Sequence, residues 1–199
     1  MKTLYLDCRM GAAGDMLMGA LLDLHPDPDG FLARLNGLGV PGVTVETQQV
    51  LRCGITSRKM QVRVHGQEED DHPHHHDHDH PHEHDHRHEH DHDHPHEHDH
   101  GHTHRGMGEI QGLIQGLAIS PKVQGEVLAV YGRIAQAEAQ VHGRPVELVH
   151  FHEVGALDAV MDILGVCLLM EELGPVQVFA SPVRTGFGQV RCAHGVLPV

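Results

Sequence analysis

The chain contains no Trp, only two Tyr and four Phe, and four Cys among 199 residues, and its 14 Lys and Arg face 28 Asp and Glu. Without a basic footprint or stacking aromatics it lacks what binding to nucleic acid usually needs, so nucleic acid is not an expected partner. The cysteines (Cys8, Cys53, Cys167 and Cys192) are far apart and form no C-x-x-C, which suggests reduced thiols rather than a disulfide framework or a structural zinc knuckle. Long apolar runs are missing as well. The longest in the second half, Ile163 to Met170, stops at Asp162 on one side and Glu171 on the other, far short of the roughly 20 residues that span a bilayer. Asp7 interrupts what would be the apolar core of a signal peptide, and Lys2 alone makes a poor basic region, so a cytoplasmic protein with no membrane segment is expected.

What is abundant is histidine, and it is local. Between Glu68 and Arg105 stand 18 of the 24 His and 13 acidic residues, without one Ala, Val, Ile, Leu, Met, Phe, Tyr or Cys. No core can form there. The run carries most of the formal charge of -14, and the rest of the chain is close to neutral with an ordinary globular apolar content. Three parts follow: an N-terminal α/β lobe (1–67), a His/Asp/Glu-rich disordered metal-binding linker (68–105), and a helical lobe with terminal strands (106–199), expected to be C-terminally incomplete.

The fold class expected is mixed α/β. Leu4-Tyr5-Leu6 reads as a short strand, followed by a Gly/Ala loop and a helix carrying Met16, Leu17, Ala20, Leu21 and Leu24 at helical spacing. A second helix is predicted from about Asp29 to Leu38, capped by Asp27 or Asp29 and stopped by Gly37, Gly39 and Pro41. Val43 to Leu51 and Ile55 to Val64 read as a hairpin turning at Cys53-Gly54. Beyond the histidine run, Gly108 to Leu117 is a short amphipathic helix. Ser120-Pro121 then opens a helix whose Val127, Val130, Ile134 and Val141 are expected on one face and which Gly143 ends. A third helix, from Val154 or Ala156 to Leu173, is apolar over most of its surface and should be central, with Gly174-Pro175 stopping it. The tail alternates like strands at Val176 to Ala180 and Thr185 to Val190.

Four segments could carry chemistry. In the histidine run, exemplified by His74, His75, His76, His78 and His80, alternating imidazoles and carboxylates can fold around Ni(II), Zn(II), Cu(II) or Co(II), while the lack of Cys argues against Cu(I). The alternative is a solvated linker with incidental metal affinity. Its imidazoles titrate near pH 6.5, so metal loading should fall as they protonate. Asp7 to Met16 combines a strand-end carboxylate, glycines at 11 and 14, and a helix N-terminus, a cradle for phosphate or its counter-cation; Asp15 could equally be a first-turn carboxylate complementing the helix dipole. His150, His152, Glu153, Asp158 and Asp162 place five ligand-type side chains within thirteen residues, the two Asp at i, i+4 on one helix face. In so apolar a helix those carboxylates need a cation or basic group, unless they form its one exposed stripe. Cys192 and His194 close the set, a weak isolated signal that could be a metal-ligand pair or a Cys/His catalytic pair.

Taken in order, YLDCRMGAAGDMLMGALLDL, the histidine-rich linker, AEAQVHGRPVELVHFHEVGALDAVMDILG and SPVRTGFGQVRCAHGVLP resemble the LarC family of nickel insertion proteins, pyridinium-3,5-bisthiocarboxylic acid mononucleotide nickel chelatases. The resemblance covers nearly the whole chain. It implies a lyase-type enzyme that inserts Ni(II) into the pyridinium mononucleotide, forming Ni–S bonds and a Ni–C bond, to complete the nickel-pincer cofactor of lactate racemase. In the full-length family CTP, with Mg or Mn, drives the step. The implied partners are that mononucleotide and lactate racemase pathway proteins, with a separately encoded C-terminal half, a truncated and inactive product, and a homo-oligomer all left open. Two departures stand out: Arg9-Met10 occupy loop positions where the family more often has small polar residues, and the family continues beyond HGVLPV, so this chain alone is not expected to hydrolyse CTP.

On this reading His152, Glu153, Asp158 and Asp162 are catalytic, and Asp7, Gly11, Gly14 and Asp15 bind the cofactor precursor. His150, His152, Glu153 and His194, with the histidine run, handle metal. The rival is a non-catalytic nickel or zinc storage protein, or metallochaperone, in which only the run matters.

Overall fold

The computed structural model describes residues 2–68, 105–151, 154–192 and 195–198. The histidine run from 69 to 104 lies outside them, and with it the metal-binding expectation for His74, His75, His76, His78 and His80.

Strand β1 (Thr3–Leu6) leads into helix α1 (Gly14–Asp23), and α2 (Pro28–Gly37) follows after a short turn. Asp27 caps α2: its Oδ1 accepts the Gly30 N–H at 3.0 Å, and Pro28 takes the first helical position, where no amide partner is lost. Strands β2 (Val43–Arg52) and β3 (Ile55–Val64) form the expected antiparallel hairpin, in register from Val43↔Val64 to Arg52↔Ile55. Its two-residue turn holds Cys53 at φ 50° and Gly54 at φ 79°, the pair of left-handed residues that matches strand twist. A two-residue strand, β4 (Gln67–Glu68), adds to β3.

The chain re-enters at β5 (Arg105–Gly106) and runs through α3 (Met107–Gly116) and α4 (Pro121–His142). Ser120 Oγ accepts the Val123 N–H at 3.1 Å to open α4, and Gly143 at φ 59° closes it. A single 3₁₀ turn (Val146–Leu148) leads to β6 (His150–Phe151), and α5 (Leu157–Leu173) crosses the middle of the molecule before β7 (Gln177–Ala180), β8 (Gln189–Cys192) and β9 (Gly195–Pro198). β7 pairs in parallel with β1, so the two ends of the chain share one sheet.

Residues from both sides of the histidine run build one hydrophobic cluster. Met18, Leu21 and Leu22 of α1, Phe31 and Leu35 of α2, Val45 and Met60 of the hairpin, Val127 and Tyr131 of α4 and Val160 and Leu164 of α5 all lie within it. α5 is central, packed against α1, α4 and the hairpin. Gly165 makes this approach close, because a Cβ there would collide with the Met18 sulfur. A polar clamp fastens the periphery. His25, itself buried, accepts the Asp27 N–H on Nδ1 at 3.0 Å, which leaves Nε2 to donate to Glu172 of α5 at 2.9 Å, and Arg34 reaches the same carboxylate at 2.6 Å.

Two expectations need correction. The buried face of α4 is Val123, Val127, Tyr131, Ala135 and Ala139, while Val130 is 37 % and Val141 81 % exposed. The buried residues follow one i+4 row, whose slow drift around the helix lets two Ala and a Tyr face the core in place of those valines. The late strand begins at Gln189 rather than Thr185: Gly186 and Gly188 adopt φ 81° and 106°, outside strand geometry.

Candidate functional site

The segment HFHEVGA is held at both ends. β5 and β6 pair with Arg105 opposite Phe151 and Gly106 opposite His150. Phe151 is fully buried against Tyr131, ring centroids 5.5 Å apart. Beyond it, the Tyr131 hydroxyl donates to the Val154 carbonyl at 3.0 Å, and Arg105 Nη1 donates to the Gly155 carbonyl at 3.1 Å. Gly155 has no room for a side chain, since a Cβ would stand 2.9 Å from the Phe151 carbonyl oxygen. The described residues on either side of positions 152 and 153 are therefore fixed. His150 is exposed beside them, while His152 and Glu153 themselves lie outside the described residues, as does His194.

The same pairing fixes the first residue after the histidine run. The run's last residue, His104, precedes Arg105 in sequence, and Arg105 is registered against Phe151, the residue before His152.

The second element is the junction of α1 and α5. Gly14 starts α1 directly against Asp162: a Cβ there would lie 2.6 Å from the Asp162 Cβ and 2.9 Å from its Oδ2. Asp162 accepts the Asp15 backbone N–H, so a carboxylate of this chain already complements the start of α1, where Ala13 offers no side-chain cap. Its other oxygen, Oδ1, is buried without a hydrogen-bond partner among the described residues. Burial first, then the nearby charges of Asp15 and Asp158, push the Asp162 carboxyl up to about 7. Asp158 also raises the Tyr131 hydroxyl, though burial is the larger cause, which ties the junction electrostatically to the HFHEVGA anchor. Asp15, Asp158 and Asp162 are each half-buried, neither an exposed stripe nor sealed.

The Asp7 loop differs in character. Asp7 is exposed, and Arg9 closes on it with Nε 2.9 Å from Oδ1 and Nη2 2.5 Å from Oδ2. That guanidinium holds the carboxyl below its ordinary range. The loop is pinned from the C-terminal side: the Cys8 N–H donates to Ser181 Oγ at 2.8 Å, and the Cys8 carbonyl accepts the N–H groups of Gly11 and Arg184 at 3.1 Å each. Gly11, at φ 91°, makes the turn. Asp15 and Gly14 thus join Asp158 and Asp162, whereas Asp7 and Gly11 sit in the adjoining loop. No three His, Cys, Asp or Glu side chains among the described residues are arranged to hold a metal ion.

A family model for the nickel insertion protein matches residues 4–199. The chain belongs to this family. A pyridinium-3,5-bisthiocarboxylic acid mononucleotide nickel insertion protein from Desulfitobacterium hafniense is 38 % identical over 199 residues, which is all of this chain and 41 % of that protein. One of the same name from Geobacillus kaustophilus is 35 % identical, with 43 % of it covered, and a putative nickel insertion protein from a Synechococcus strain is 37 % identical, again with 43 % covered. The chain thus spans about two fifths of the length of these relatives. No solved structure matches it.

For this nickel insertion family member, sequence reasoning found the acidic pair on α5 and the loop before α1 but not their contact. It also missed Tyr131 and Arg105, which fix the HFHEVGA segment. A tyrosine in an otherwise aliphatic helical row was the available signal, since a buried Tyr needs a hydrogen-bond partner. Arg105 offered none, standing at the edge of a run of charges.

Proposed function

We propose that this protein inserts Ni(II) into pyridinium-3,5-bisthiocarboxylic acid mononucleotide, and that it does so in the cytoplasm as part of a CTP-dependent, lyase-type enzyme that completes the nickel-pincer cofactor of lactate racemase. The observation that carries this reading is the β5–β6 pairing. It registers Arg105, which follows the last histidine of an 18-histidine run in sequence, against Phe151, which precedes His152 and Glu153 in sequence.

In this scheme the histidine run loads nickel as neutral imidazoles, and His150, His152, Glu153 and His194 pass it on. The two thiocarboxylates of the substrate bring their own negative charge to nickel, so the remaining requirement is a group to accept the ring proton lost when the Ni–C bond forms. Asp162, with a carboxyl near neutrality and one unpartnered oxygen, suits that role, with Asp158 in support. Asp7, Gly11, Gly14 and Asp15 border the phosphate end of the substrate. The two acidic side chains there, Asp7 and Asp15, favour the counter-cation of a phosphate, including the Mg or Mn that accompanies CTP, over a naked phosphate. Regions carried by the relatives outside the matched part complete the CTP-dependent step.

The test is nickel insertion followed by mass spectrometry of the nucleotide product, with the rest of the family's length supplied. Deleting residues 72–104 should leave insertion intact at high nickel and reduce it at limiting nickel. The pair His152→Ala and Glu153→Ala should abolish it with the run intact. Unchanged insertion in the double variant would refute the transfer site, and parallel loss of metal binding and all activity on deletion would favour storage.

A further inference from the structure

The β1–β7 sheet is incomplete in a way that calls for a partner. Parallel strands are normally covered on both faces, yet among the described residues this sheet has two strands, and every residue of β7 is exposed. Leu4 turns toward the core, while Tyr5 and its register partner Phe179 stand on the other side, 62 % and 53 % exposed. The segment that follows behaves alike. Phe187 is 97 % exposed, and the β8–β9 hairpin bares its paired Val190 and Leu197 together with Val196. A two-stranded hairpin is marginal in water by itself. Tyr5, Phe179 and Phe187 are three of only six aromatic residues in the chain, and exposed aromatics concentrated in one region mark an interaction surface.

We propose that the bare face and outer edge of the β1–β7 sheet, continued by residues 181–190 and 195–198, dock the polypeptide that makes up the rest of the nickel insertion family's length, with a strand of that polypeptide added beside β7. The occupant follows from the relatives: they match this chain over its full length but carry more than half of their own outside the match. In those proteins the corresponding surface therefore belongs to a chain with a large additional mass close at hand, at high effective concentration. An added strand would satisfy the outward amide and carbonyl groups of β7, and its apolar side chains would cover Tyr5 and Phe179. This inference rests on the reading that the family's activity needs that remaining length, but it concerns binding, which is read without nickel or nucleotide.

Amide hydrogen exchange of this chain, compared with that of the intact Desulfitobacterium hafniense relative, tests it first. The strand equivalent to β7 should exchange at least tenfold more slowly in the relative, and equal exchange would overturn the proposal. In a second experiment this chain is co-expressed with the part of that relative outside the match, and complex formation is read by light scattering. Phe179→Lys and Phe187→Asp should each weaken the complex at least tenfold with unchanged circular dichroism, and Val141→Lys, on the exposed side of α4, should leave it intact. Equal binding by the Phe179 variant would refute the docking surface, as would self-association of this chain that Phe179→Lys abolishes, because a second copy would then be the occupant. Intact binding with no nickel insertion would instead count against the proposed function.

Discussion

Replacing Asp162 with Asn tests whether the α1–α5 junction stores electrostatic cost. The Asp162 carboxyl, pushed up to about 7 from an ordinary 3.8, holds a proton in the folded protein that the unfolded chain releases near pH 4. Between those values the folded state binds more protons, so the stability associated with this group is fully present below about pH 4. It is lost as the pH rises through about 7. The full shift corresponds to about 4 kcal/mol at 1.36 kcal/mol per unit, and partial solvent access to a half-buried side chain reduces the realised value to about 2 kcal/mol. Asn keeps the shape and can still accept the Asp15 N–H, but it cannot ionise. Urea unfolding of both proteins in chelator-treated buffer should show near-equal stability at about pH 3.5 and an advantage for Asp162→Asn that grows above about pH 4 to about 2 kcal/mol at pH 8. The histidine run titrates in the same range but is common to both proteins, so the difference isolates Asp162. A difference that stays flat from pH 3.5 to pH 8 would refute the raised carboxyl and, with it, the role of Asp162 as a proton acceptor at neutral pH.

Gly14→Ala should destabilise the fold by about 1–3 kcal/mol, read as a lower thermal midpoint, because the new methyl meets the Asp162 Cβ at 2.6 Å. Tyr131→Phe should cost about 1–2 kcal/mol by leaving the Val154 carbonyl unpaired, and amide exchange in residues 154–156 should quicken more than in α1. Val127→Ala should lower the urea midpoint by the equivalent of about 1–3 kcal/mol, whereas Val130→Ala should stay within about 0.5 kcal/mol; equal effects would contradict the phase of α4.

Local signals in the sequence sufficed for most elements. Asp27-Pro28, Ser120-Pro121, Gly143 and Gly174 delimit helices because caps and left-handed residues act over a single turn, and Cys53-Gly54 marks the hairpin for the same reason. The phase of α4 was less legible: several apolar residues at helical spacing allow more than one face, and only packing against α3 and α5 selects the row through Tyr131.

The candidate site divides along the same line. Composition alone sets apart a core-less, histidine-loaded run, and the order of motifs points to nickel insertion, because these are properties of residue types and their spacing. Tertiary structure decided which of them meet. Asp15 and Asp162 are 147 positions apart, and only the crossing of α1 over α5 brings one carboxyl to the other's helix terminus and raises it toward neutrality. Likewise, Arg105 meets Phe151 through a two-residue strand pair too short to leave a periodic signal, and β1 finds β7 from the opposite end of the chain. Desolvation and Coulomb interactions depend on distance in space, which a linear pattern encodes only through the fold it specifies.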